Sequence, residues 1–82
     1  MDVCKQVGAN LRRLRQARGW SQEELGFESG VHRTYISDLE RGTRNPSLTL
    51  LWELSQALGV RLTELVDLDS SPDRRGEPRR TA

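Results

Sequence analysis

The chain has 82 residues, 34% hydrophobic and 30% charged, and a net charge of +1 from 13 Lys and Arg against 12 Asp and Glu. That length allows one small domain, and no run approaches the roughly 18 apolar residues that a membrane span requires. A single cysteine, Cys4, and a single histidine, His32, exclude an internal disulfide and make a zinc site within one subunit improbable, so no cofactor is expected.

The apolar residues stop before the chain does. Residues 70–82, SSPDRRGEPRRTA, contain only Ala82 of the hydrophobic set. We therefore take 1–69 as the folding unit and 70–82 as a disordered polar tail, too polar to offset its own ordering entropy. The first ten residues, MDVCKQVGAN, lack the basic-then-apolar order of a signal peptide, and one unpaired cysteine fits a reducing compartment, so the expected location is cytoplasmic.

In chain order, Val3, Val7, Leu11 and Leu14 recur at helical steps and predict a first helix over about 3–18, ending near Gly19. Trp20-Ser21-Gln22-Glu23-Glu24-Leu25 follows. Ser21 can cap the Glu24 amide while the Glu24 side chain returns to the Ser21 amide, with Trp20 against Leu25 as the staple. A second helix should start at Gln22 and stop before Gly30, with Gly26 inside it at a cost of about 1 kcal/mol relative to Ala. Val31 and Ile36 repeat the staple spacing around His32, a weaker N-cap than Ser, Thr or Asp. They predict a third helix over about 33–41, closed by Gly42. Pro46 and Ser47 introduce a fourth helix through Leu48, Leu51, Leu54 and Leu58, closed by Gly59, and a short fifth is expected over about 62–67. Leu50, Trp52 and Leu54 are expected to fill the core against the first helix. No stretch alternates with period two, so the expected fold class is all-α, a bundle of five short helices.

The third helix carries the functional signal. At about 100° per residue, Arg33, Thr34, Ser37, Asp38 and Arg41 share one face and Ile36 and Leu39 the other. A helix, a Gly-containing turn and a short helix offering Arg, Thr and Ser outward is the layout of a DNA-reading helix-turn-helix.

From LRRLR before a Gly, through SQEEL, a turn Gly and RTYISDLERG, to RNPSL and ALGV, the stretch over about residues 7–66 resembles the Xre or lambda-repressor-like helix-turn-helix domains. The string RTYIS…ERGTRNPS is most similar to the small controller proteins of restriction-modification systems. The resemblance implies a sequence-specific DNA-binding transcriptional regulator that binds a palindromic operator as a homodimer, with the third helix in the major groove. It places Arg33, Thr34 and Ser37 at base edges. An Arg can pair bidentately with guanine, and a Thr offers a hydroxyl or a methyl. Asp38 shares that face; it could accept from cytosine N4, repel phosphate or hold an Arg in place.

On the same basis Gln22, beside the cap Ser21 at the start of the second helix, matches a phosphate-contacting position, where free amides favour an anion. Tyr35 matches a backbone-contacting position but could equally be a packing residue. Arg44 and Asn45 match a second backbone clamp with Arg41 as helper, and His32 could gain charge near a phosphate below neutral pH. Arg15 and Glu40 match a structural salt bridge between the first and third helices. Gly26, His32 and Arg61 depart from the family pattern, where Ala, a better cap and a Ser or Thr are usual. Leu62, Leu65, Val66 and Leu68 are the expected dimer interface.

The competing readings are weaker in residues. An enzyme would need a nucleophile and base to converge, and only Cys4 and His32 stand out, the one in the first helical turn and the other at a turn across the fold. A protein-interaction or antitoxin-like adaptor module, whose helix-turn-helix positions a partner, uses the same apolar residues near the fifth helix. Glu23, Glu24 and Glu28 are a candidate contact for RNA polymerase or simply a solvated acidic face. No membrane partner and no small-molecule ligand are expected. The +1 total hides a segregation: residues 1–20 carry +4 and 31–46 carry +1, while 21–30 and 47–69 carry −3 each and 70–82 carry +2.

Overall fold

Five helices form along residues 2–68, the part of the chain that the computed structural model describes: α1 (Val3–Ala17), α2 (Gln22–Ser29), α3 (Arg33–Arg41), α4 (Leu48–Leu58) and α5 (Leu62–Leu65). Among these residues there is no strand. The expected disordered tail at 70–82 lies outside the described residues.

Local chemistry starts and stops α2, α3 and α4 where the spacing predicts. The Ser21 hydroxyl accepts from the Glu24 N–H at 3.0 Å and the Glu24 carboxylate from the Ser21 N–H at 2.7 Å, the reciprocal box that begins α2. Ser47 begins α4 by accepting from the Leu50 N–H at 3.1 Å. At α3 the His32 imidazole takes the capping role, its Nδ1 accepting from the Thr34 N–H at 3.0 Å. Gly30 and Gly42 end α2 and α3 with φ of 77° and 78°, a left-handed turn that a side chain would strain. α5 is shorter than expected, one turn that ends at Leu65; at its start the Arg61 N–H donates to Glu64 at 3.0 Å, but Arg61 itself caps nothing.

The core is Leu11 and Leu14 of α1, Leu25 of α2, Ile36 and Leu39 of α3, Leu54 and Leu58 of α4, and Leu65 of α5. Burying each such side chain contributes about 1.5–3 kcal/mol. Two expectations are corrected here. Trp52 does not fill the core but is half exposed, because the inward stripe of α4 is Leu51, Leu54, Ser55 and Leu58, and Trp52 stands one residue off it. Leu50 is partly buried against the core and Leu54 is inside it. Leu65 is fully buried rather than presented to a partner, since a single turn has one core-facing position and Leu65 occupies it.

Close approach sets how α3 lies. Gly8 of α1 faces the end of α3 so tightly that a Cβ there would come within 2.2 Å of the Leu39 carbonyl oxygen. Gly26 of α2 would meet the Val31 carbonyl oxygen at 2.7 Å. The glycine that helix propensity counts as a defect in α2 is thus what lets the following turn fold back against it.

Candidate nucleic-acid interface

With Ile36 and Leu39 turned into the core, α3 presents Arg33 and Thr34 to solvent. Neither side chain has a hydrogen bond or ion pair within the described residues. They are the free donors of this face.

The orientation of α3 is held by a buried polar knot. Arg15 of α1 donates through Nε to Glu40 Oε2 at 2.7 Å, through Nη2 to Glu40 Oε1 at 3.0 Å and through Nη1 to the Trp20 carbonyl at 2.6 Å. Gln22 Nε2 donates to the same Glu40 Oε1 at 3.0 Å. The side chains of Arg15 and Glu40 are 10% and 4% exposed. The hydrogen bond that Arg15 donates to Glu40 raises the Arg15 pKa above its ordinary value against the opposing effect of burial, so the guanidinium keeps its charge and the stabilisation is fully present below the arginine range. One carboxylate thereby joins α1, the entry to α2 and the last turn of α3. The expected Arg15–Glu40 pair is there, and Gln22, expected at phosphate, spends an amide hydrogen on it.

A second polar network covers the rest of the α3 face. The Asp38 carboxylate accepts from Arg41 Nη2 and, at 3.4 Å, from Arg44 Nε. Arg41 Nη1 donates to the Ser37 hydroxyl at 2.8 Å. The Arg44 guanidinium lies 4.6 Å from the centre of the Tyr35 ring, which itself packs partly against the core. The Asp38 carbonyl also accepts from the Thr43 N–H at 3.0 Å, tying the loop to the helix end. Of the residues expected at DNA, Ser37, Asp38, Arg41, Arg44 and Tyr35 are therefore linked side by side. Asp38 is occupied by two arginines, which fits holding them and leaves less for a cytosine. Asn45 is exposed in the loop beyond, while Ser21 and His32 are committed to their caps.

Some features had no clear signal in the sequence. Asn10 is buried and donates to the Leu65 and Asp67 carbonyls at 2.9 and 2.8 Å, which anchors α5 to α1. Phe27 is 85% exposed on α2. Leu48 and Trp52 of α4, exposed by 67% and 50%, line a shallow apolar groove with Thr49 and Leu62. Of the expected interface residues, Leu62, Val66 and Leu68 are partly buried, and Val66 packs against the core.

The Helix-turn-helix family matches residues 11–65. The chain belongs to that family. Within it, the chain is 53% identical over 66 residues, 80% of this chain and 86% of the other, to the uncharacterized HTH-type transcriptional regulator y4dJ of Sinorhizobium fredii. Its fold is similar to that of the restriction-modification controller protein C.AhdI from Aeromonas hydrophila, with a TM-score of 0.74 and 45% identity over 76% of this chain and 94% of that one. It is also similar to the controller protein C.Esp1396I, whose structure is a tetramer in complex with its natural 35 base-pair operator; the TM-score is 0.74 and the identity 28%, over 83% of this chain and 90% of that one. The likeness of this Helix-turn-helix chain to controller proteins agrees with the resemblance drawn from RTYIS…ERGTRNPS.

Proposed function

We propose that the chain is a transcriptional regulator that binds a palindromic operator as a homodimer, with α3 in the major groove. The observation that carries this reading is the α3 face itself: Arg33 and Thr34 exposed and, among the described residues, unpaired, with Arg41, Arg44 and Tyr35 gathered beside them. Family membership and the operator complex of C.Esp1396I support it. Arg33, Thr34 and Ser37 read bases, and Arg41, Arg44, Asn45, Tyr35 and the α2 start, through Gln22, hold the backbone. The function is binding rather than catalysis, and its location is cytoplasmic, where operator DNA and a reducing environment coincide.

Two copies meet, in this reading, through Leu48, Trp52 and Leu62, the apolar groove on α4 and α5, in place of the buried Leu65. A small module makes few base contacts, so tight specific binding takes two on half-sites about 34 Å apart. Polymerase contact in an activator finds support in Phe27, exposed between Glu24 and Glu28 on α2. Selection of bound duplexes from a random pool tests the function. A two-fold symmetric sequence is expected to be enriched; no enrichment, together with no duplex binding at about 50 mM salt, favours the adaptor reading instead.

A further inference from the structure

Asp38 is a negative charge on the face that, in the reading above, meets a polyanion. Its carboxylate is about four-fifths buried and is turned onto Arg41 of its own helix and Arg44 of the loop beyond. Arg41 is further engaged by the Ser37 hydroxyl and Arg44 by the Tyr35 ring. Two cations that could each neutralise a phosphate are thus already shared with one anion, and the cluster presents +1 instead of +2. Arg33, the base-reading candidate, lies outside the cluster and has no such partner among the described residues.

We propose that Asp38 is a positioning and specificity-determining residue, an internal substitute for phosphate that holds Arg41 and Arg44 and lowers the affinity of the α3 face for DNA of any sequence. The reasoning is electrostatic. Non-specific binding rests on counterions released as Lys and Arg neutralise phosphates, and a carboxylate sharing two arginines removes about one from that count. Base contacts by Arg33 and Thr34 do not pass through Asp38. The ratio of operator to random-sequence affinity therefore rises when Asp38 is present, because its cost falls on every duplex, while an operator bound with correctly placed arginines recovers part of it. The proposal rests on the DNA-binding reading and adds to it a residue that works against binding.

The test is Asp38→Asn, which keeps the backbone carbonyl that anchors Thr43 and the size of the side chain. Binding to a short random-sequence duplex and to the selected operator is followed by anisotropy at about 50 and about 200 mM salt. Asp38→Asn is expected to bind the random duplex about tenfold more tightly at the lower salt and about threefold at the higher, with a salt slope steeper by about one. The operator should gain less, so the specificity ratio falls. With Arg41 and Arg44 both replaced by Gln, the same Asp38→Asn change should give under about threefold at the lower salt. Loss on the operator alone, with preference relaxed at one base pair, would make Asp38 a base reader and overturn the proposal. So would an unchanged slope, the mark of a purely structural role, or an equal gain in both backgrounds. If the unsubstituted chain binds no duplex at all, it is the DNA-binding reading that fails.

Discussion

Glu40 receives hydrogen bonds from both Arg15 and Gln22 while only 4% of its side chain meets solvent, so its removal strands more than its own contacts. Glu40→Ala is expected to lower stability by about 3–5 kcal/mol in urea denaturation, because a buried guanidinium is left without its anion. A loss below about 1 kcal/mol would mean that water reaches Arg15 and the pair is an exposed one. The Arg15–Glu40 partnership is legible in the sequence through the family resemblance, but the Gln22 amide and the Trp20 carbonyl are not: both depend on how residues 18–21 return to α1. Trp52 shows the same limit on the apolar side. Periodicity marks α4 as amphipathic, yet Trp52 lies next to Leu51 and a 100° step decides which of them is inside.

The caps of α2, α3 and α4 could be read from the sequence because each involves residues two or three apart. What joins helix to helix was less accessible. Asn10 reaches carbonyls 55 and 57 residues further on, a relation that no local pattern carries. Asn10→Ala should cost about 1–3 kcal/mol and speed amide exchange in α5 ahead of the rest of the fold; uniform exchange across all helices would contradict its role as the α5 anchor. Gly26 reverses sign between the two levels of description. Helix propensity alone gives Gly26→Ala a gain of about 1 kcal/mol, whereas a Cβ at 2.7 Å from the Val31 carbonyl gives a loss of about 1–3 kcal/mol by overpacking. Thermal denaturation of this one variant decides between them.

Across the molecule, the near-zero net charge is an average over regions of opposite sign, with basic groups in α1 and beside α3 and acids on α2 and the C-terminal half. That arrangement gives modest attraction to DNA in general, and sharing Asp38 between Arg41 and Arg44 lowers it further. Affinity must then come from two copies acting together. Sedimentation is expected to show a species of twice the 9.4 kDa chain mass, converted to monomer by Trp52→Glu and unaffected by changes on α2; a concentration-independent monomer would contradict the α4 interface.

The central claim, that α3 reads sequence while its neighbours hold the backbone, is tested most directly by titrating the chain, Arg33→Ala and Arg44→Ala against the selected operator and a random duplex across a range of salt. Arg33→Ala is expected to lose about 1–3 kcal/mol on the operator, to relax preference at one base pair and to leave random-duplex binding nearly unchanged, whereas Arg44→Ala weakens both and lowers the salt slope by up to about one. Equal losses on both duplexes for both variants would contradict the assignment of reading to α3.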